Sequence, residues 1–214
     1  MDNSLKNTFD SIIFDLDGTL WDSTHSVAEA WTAARNQVDY VSETVNAQQV
    51  AGIAGMPYDV IYEVLFPSLS PELRNDFMVI CAKTELQVLA KKGGILYPNL
   101  VETLNYLKQK YRLFIVSNCQ CGYIEVFLEK YNLELYFEGH QCFGTKDRPK
   151  AENIRDIVSD FDLKMPVYVG DTLGDYQSST KAGVPFIFCE FGFGKVEEGQ
   201  IASIGNLSDL KDLL

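Results

Sequence analysis

Short apolar runs alternate along the chain with stretches in which apolar residues recur at helical spacing. Residues 11–16 (SIIFDL) form a run bounded by polar positions before it and by the turn-forming Asp17 and Gly18 after it, which predicts a buried strand. Runs of the same kind fall at residues 113–117 (LFIVS), 166–170 (PVYVG) and 185–190 (PFIFCE), with a weaker candidate at 139–143. Between them, Leu100, Leu104 and Leu107, then Ile124, Phe127 and Leu128, then Ile154, Ile157 and Val158 fall on helical faces. Strand and helix in alternation predict parallel strands joined by crossover helices, with ligands bound beyond the carboxyl ends of the strands.

Residues 22–94 break this alternation. Val27, Ala30, Trp31, Ala34 and Val38 make one helical stripe, and Val60, Ile61, Val64 and Leu65 another. A third helix is expected to start with Ser70 as cap and Pro71 at its first position, and to end before Gly93 and Gly94. The expected fold class is therefore α/β: a Rossmann-like parallel sheet core, residues 1–21 and 95–214, with an inserted α-helical cap, residues 22–94.

Composition narrows the function. Of 214 residues, 46% are hydrophobic and 22% charged, an ordinary globular balance. Thirty acidic against 18 basic residues give a formal charge of -12, which would repel a nucleic-acid backbone. That charge also repels phosphorylated metabolites, but screening over a Debye length of about 8 Å leaves the decision to local cations such as a metal ion. No run reaches the roughly 18 apolar residues of a membrane span, and the amino terminus has no basic region followed by an apolar run. With five sparse cysteines suited to reduced thiols, the expectation is a cytoplasmic protein with no nucleic-acid or membrane partner. Its oligomeric state is left open.

The candidate chemistry clusters at predicted strand ends. Asp15 and Asp17, two apart in an extended chain, point to one side beside the turn at Gly18 and suit a hard cation such as magnesium. Gly170, Asp171, Thr172 and Asp175 follow another apolar strand, so the sheet would bring a second acidic pair near the first. Four converging carboxylates repel strongly unless a cation lies among them. A polar turn at Asp15 and Asp17, or a helix start at Asp175, is the plainer alternative for each pair taken alone. Ser117 and Asn118 follow a strand where a hydroxyl and backbone N–H groups can cradle an anion. Lys150 opens an amphipathic helix, from which an ammonium reaches a phosphate as a point charge.

In combination these motifs resemble the haloacid dehalogenase-like hydrolase superfamily, which presents in order DLDGT (15–19), SN (117–118), a lysine before a helix (Lys150) and GDTLGD (170–175). The inserted helices match the position of that superfamily's cap. Residues 15–23, 51–66 and 181–188 are most similar to its phosphoglycolate-phosphatase-like members. The resemblance implies a magnesium-dependent phosphatase acting on a small phosphorylated metabolite through an aspartyl phosphate. It implies Asp15 as nucleophile and metal ligand, and Asp17 as general acid and base that lends its backbone carbonyl to the metal. Asp171 is implied as a metal ligand, and Asp175 as a ligand or a support behind one. Thr19 would position Asp17, Ser117 and Asn118 would bind phosphoryl oxygens, and Lys150 would neutralise charge on Asp15 and the phosphoryl group.

The family's third motif usually reads lysine then proline. Here Pro149 precedes Lys150, and Lys146 is the competing candidate. A phosphosugar mutase of the same fold and a non-catalytic phospho-ligand-binding protein are the alternative functions. Arg35, Arg74 and Lys83 are candidate substrate contacts in the cap. Trp21 is expected in the core and His25 on the surface. The set Cys119, Cys121, His140 and Cys142 lacks the common zinc spacing. FGFGK, from Phe191, reads as a loop near the site.

Overall fold

The computed structural model of the chain describes residues 5–214. Its centre is a sheet of six strands: β1 (Ser11–Phe14), β4 (Arg112–Ser117), β5 (Gly139–Cys142), β6 (Pro166–Gly170), β7 (Phe186–Cys189) and β8 (Ala202–Ile204). They are ordered β5-β4-β1-β6-β7-β8, every neighbouring pair parallel. Because a sheet of this kind is covered on both faces, its strands are continuous apolar runs rather than alternating ones. Ile12, Phe14, Leu113, Ile115, Val167 and Val169 belong to one buried cluster, and Ile13, Phe114, Val116 and Tyr168 to another.

From β4 and β5 on one side of β1 the chain crosses to β6 on the other, making β1 the switch point of the sheet. Crevices form there, beyond the carboxyl ends of the strands. Helix α8 (Lys150–Asp160) carries the crossover to β6, and α9 (Leu173–Ala182) follows β6.

Between β1 and β4 the chain leaves and returns through a two-stranded antiparallel ribbon, β2 (Trp21–Asp22) with β3 (Ile95–Leu96). Trp21 is fully buried and meets Tyr123, Phe127 and Tyr131 edge-on, with centroids 5.8, 5.0 and 6.0 Å away. Aromatic pairs of this kind contribute about 0.5–1.5 kcal/mol each beyond their burial, so Trp21 pins the ribbon to the core.

The excursion holds α1 (Thr24–Arg35), α2 (Ala47–Gly52), α3 (Tyr58–Leu65) and α4 (Pro71–Lys92). Its buried side chains, from Val27 to Cys81, form a cluster separate from those on the sheet. The long α4 starts where the sequence predicts: Ser70 Oγ accepts the Leu73 N–H, Pro71 needs no partner at the first position, and Gly93 with φ 72° follows the last turn. Among the described residues, no helix is long and apolar enough to cross a membrane.

The strand expected over residues 11–16 stops at Phe14, because Leu16 already accepts the N–H groups of Thr19 and Leu20 in a turn. Sequence patterning did not anticipate β8 or α2. The first is a three-residue edge strand, and the second is a six-residue helix held by an Asn46–Gln49 capping box. Both are too short for periodicity to register.

Candidate active site

Three adjacent strands deliver three side chains to one place. Asp15 follows the last residue of β1, its N–H bonded to Val169 O at 2.8 Å, while Ser117 ends β4 and Asp171 follows Gly170 at the end of β6. Lys150, the first residue of α8, reaches in from the side. Its Nζ donates to Asp15 Oδ1 at 2.6 Å and to Asp175 Oδ1 at 2.5 Å, and all three side chains are at most 5% exposed.

Carboxylate oxygens of Asp15, Asp171 and Asp175 lie within 4.8 Å of one another. The fourth expected member, Asp17, does not join them with its carboxylate. Its Oδ1 accepts from Ser23 Oγ at 2.5 Å and from the Tyr123 hydroxyl at 3.0 Å, which turns the group toward the ribbon and α6 (Tyr123–Tyr131).

The acceptors of the cluster are unevenly occupied. Asp175 Oδ2 takes the Thr172 N–H at 2.9 Å, the Thr172 hydroxyl at 2.6 Å and the Asp171 N–H at 3.3 Å, while Oδ1 takes Lys150. This is the capping box that opens α9, and it leaves Asp175 as the anchor of Lys150. Asp171 accepts from Thr19 Oγ1 at 3.1 Å and from the Phe193 N–H at 2.8 Å. Asp15 Oδ1 holds Lys150, and Oδ2 takes no hydrogen bond from the described residues. Gly18 makes the packing possible: its φ is +87°, and a Cβ there would overlap the Asp171 carboxylate.

Three buried carboxylates against one ammonium leave two negative charges without a partner, the complement of one divalent cation. The electrostatics agree. Burial and the neighbouring Asp175 charge push Asp15 well above the usual carboxylate range, and Lys150 opposes them. The same two causes push Asp171 up to about 7. A hard cation among these oxygens would restore both to the ionised form, so the donor set fits one. Asp17 is raised by burial, with the bonds from Ser23 and Tyr123 pulling it back. Burial works against the charge of Lys150, but Asp15 and Asp175 outweigh it and hold the ammonium firmly protonated.

Above these groups lies a pocket of about 90 Å³. Asp15, Asp17, Ser117, Asn118 and Lys150 make its floor, and Val27, Trp31, Ile53, Met56, Tyr58 and Ile61 from the helical excursion make its walls. Several expected placements change. Thr19 does not line the pocket, being fully buried behind Asp171 and bonded to it rather than to Asp17; Ser23 and Tyr123 hold Asp17 instead. Asn118 does reach the pocket, with its amide Nδ2 donating to Gly55 O at 2.9 Å, a clasp between core and excursion.

Lys146 is paired with Asp156 at 2.6 Å on the partly exposed outer side of α8. Arg35, Arg74 and Lys83 do not line the pocket: Arg35 bonds Val41 O, Arg74 bonds Leu69 O and Lys83 is exposed. The FGFGK loop lies at the site, through Phe193 and its bond to Asp171.

Glu85 is the functional candidate that sequence reasoning missed. It is 4% exposed, it lines the pocket, and its carboxylate accepts from Trp31 Nε1 at 2.5 Å and from Gln120 Nε2 at 3.3 Å. The signal was present: Phe77, Cys81, Glu85 and Leu89 follow one another at four-residue steps, a charge on the buried stripe of α4.

Burial pushes Glu85 up to about 7, the bonds from Trp31 and Gln120 opposing it, whereas a glutamate in the unfolded chain titrates near 4.5. The folded protein thus keeps a proton that the unfolded chain releases. Stability is expected to decline as pH rises through this window, by up to about 3 kcal/mol. Glu85→Gln removes that dependence, so its Tm relative to the parent should be higher at pH 8 than at pH 5. Equal differences at the two pH values would show that Glu85 ionises freely in the folded protein.

The sequence carries the same message as the geometry. The chain is 29% identical to a phosphoglycolate phosphatase of Vibrio cholerae over 87% of this chain and 86% of that one. It is 26% identical to a phosphoglycolate phosphatase of Aquifex aeolicus over 86% of each. A crystal structure described as a predicted phosphoglycolate phosphatase from Haemophilus somnus shares the fold with a TM-score of 0.82 at 21% identity, over 96% of this chain and 97% of that one. The haloacid dehalogenase-like hydrolase family matches residues 12–189, a span holding the acidic cluster, Lys150 and the helical excursion, and the chain belongs to that family.

Proposed function

We propose that the protein is a magnesium-dependent phosphatase that hydrolyses a small phosphate monoester through a phosphoryl group held covalently on Asp15. The observation that carries this reading is the buried set of Asp15, Asp171 and Asp175, with Lys150 bridging the first and last, beneath a pocket at the carboxyl ends of the central strands. Phosphate-monoester hydrolysis is among the slowest uncatalysed reactions, with accelerations of up to about 10²¹-fold, and dividing it into two displacements lowers each barrier.

In the first displacement the unbonded Oδ2 of Asp15 attacks phosphorus and the substrate's ester oxygen leaves with a proton from Asp17. Its raised affinity for a proton suits Asp17 to that task. In the second, Asp17 takes a proton from the attacking water, the Asp15–phosphorus bond breaks, and inorganic phosphate leaves. Lys150 stays fixed against Asp15 throughout, and Ser117 with the backbone N–H groups beyond β4 faces the transferring oxygens. Asp15 and Asp171 would hold the magnesium ion together with the Asp17 carbonyl, and the ion would supply positive charge to the phosphoryl oxygens. Thr19 acts by orienting Asp171, and Asp175 by orienting Lys150.

In this reading residues 1–21 and 95–214 are the catalytic core and residues 22–94 the cap that excludes water and selects substrate. The location is cytoplasmic, in keeping with five free cysteines. With a net charge of -12, nucleic acid is not a partner.

Hydrolysis of p-nitrophenyl phosphate is expected to stop when the protein is treated with EDTA and to return on adding excess magnesium. Undiminished turnover in metal-stripped protein would overturn the mechanism.

A further inference from the structure

The pocket's walls describe the part of the substrate that is not phosphate. Among the described residues lining it, Lys150 is the only basic one, and both its ion pairs are spent on Asp15 and Asp175. The excursion contributes mainly apolar and aromatic surface, with Trp31, Met56 and Ile61 among it, together with Ser23, Thr24 and Tyr58 and a single ionisable carboxyl, Glu85. A carboxylate carried by the leaving group would therefore share the pocket with Glu85 and Asp17 and meet no unpaired cation there, an arrangement that selects against it.

Glu85 has capacity left. A carboxylate accepts at about four lone-pair positions, and Trp31 and Gln120 fill two of them. A volume of about 90 Å³ admits only several water-sized groups, so the part of the molecule that reaches Glu85 is small.

We infer that Glu85 is the specificity-determining residue of a leaving-group subsite, and that the substrate is the phosphate monoester of a small alcohol bearing an apolar face and an O–H or N–H donor directed at Glu85, carboxylate-bearing esters being rejected. The inference rests on the phosphatase reading of Asp15 and goes beyond it. It also separates this chain from the relatives named for phosphoglycolate, whose leaving group is a carboxylate-bearing alcohol. Trp31 has a part in this, since its indole N–H fixes the Glu85 carboxylate while its ring walls the same space.

A matched series of esters tests it: 2-hydroxyethyl phosphate, 2-aminoethyl phosphate and 2-phosphoglycolate differ only in presenting a hydroxyl, an ammonium or a carboxylate at the far end. At saturating magnesium and pH 8, above the Glu85 value of about 7, kcat/KM for the better of the first two should exceed that for 2-phosphoglycolate by about tenfold or more, and which is better tells hydroxyl from ammonium. Glu85→Gln keeps an acceptor and removes the charge, so it should shift the ratio toward the carboxylate ester by about tenfold.

With at least one of the three esters or p-nitrophenyl phosphate turned over, a wild-type protein that handles 2-phosphoglycolate as well as or better than both others overturns the inference alone. So does an unchanged ratio in folded Glu85→Gln. Failure to hydrolyse any of the three esters or p-nitrophenyl phosphate in magnesium overturns the underlying phosphatase reading, and the inference with it. Should Glu85→Gln fail to fold, the wild-type ordering decides.

Discussion

Asp15→Asn is expected to lower turnover of any phosphate ester by about 10⁴- to 10⁶-fold, the range reached when a nucleophile that works in concert with other groups is removed. The substitution changes little volume, and the neutral amide cannot accept the phosphoryl group. The same change has a second consequence that separates lost chemistry from a lost fold. Asp15, Asp171 and Asp175 face one ammonium in a buried space, and like charges this close raise one another's proton affinity at a cost to the folded state. Removing one of the three relieves part of that repulsion, while Lys150 keeps its bond to Asp175. In EDTA the Tm of Asp15→Asn should therefore equal or exceed that of the parent, and the gain that magnesium gives the parent should shrink in the variant. An Asp15→Asn protein that unfolds normally and retains wild-type turnover would exclude attack by Asp15.

Much of this arrangement was legible in the sequence, for identifiable reasons. Parallel strands covered on both faces must be continuously apolar, so β1, β4 and β6 announced themselves, and the residues that end them meet at the candidate site because ligands collect at that edge. Helix α4 was readable at both ends because Ser70, Pro71 and Gly93 have local, sequence-near reasons to be there.

What stayed hidden depended on contacts between distant segments. No local pattern says that Thr19 turns to Asp171 while Ser23 and Tyr123 take Asp17, since Tyr123 lies 106 positions from its partner. In the helical excursion the sequence offers Arg35, Arg74 and Lys83 as candidate contacts, and none of them lines the pocket. The structure spends the two arginines on backbone carbonyls, leaves the lysine in solvent and places a carboxylate in the pocket instead. Glu85 was detectable only by noticing that it occupies a position whose neighbours at four-residue spacing are all buried.

Lys150 is expected to matter far more than Lys146, although the two are four residues apart; in the sequence Lys150 opens the amphipathic helix after Pro149, whereas Lys146 lies in the preceding stretch GTKDR. The first turn of α8 fixes the backbone of Lys150, because Ile154 and Ile157 on the same helix are buried against the sheet. Its ammonium is 2.6 Å from Asp15 with its side chain 2% exposed, where water can neither replace nor screen it. Lys146 sits at the end of a four-residue helix, and its pair with Asp156 is 37% and 23% exposed. Preorganised charge beside a reacting group typically contributes about 10²- to 10³-fold to turnover, and Lys150→Met should cost kcat about that much at saturating magnesium. It should also destabilise the protein by about 3–5 kcal/mol, because Asp15 and Asp175 lose their buried counter-ion. Added magnesium should recover part of that loss by supplying positive charge to the same oxygens. Lys146→Met should leave kcat within about twofold and cost about 1 kcal/mol or less, as exposed pairs do. Kinetics on both variants, with unfolding followed in EDTA and in magnesium, check each part; a folded Lys150→Met enzyme faster than Lys146→Met would transfer the role to Lys146.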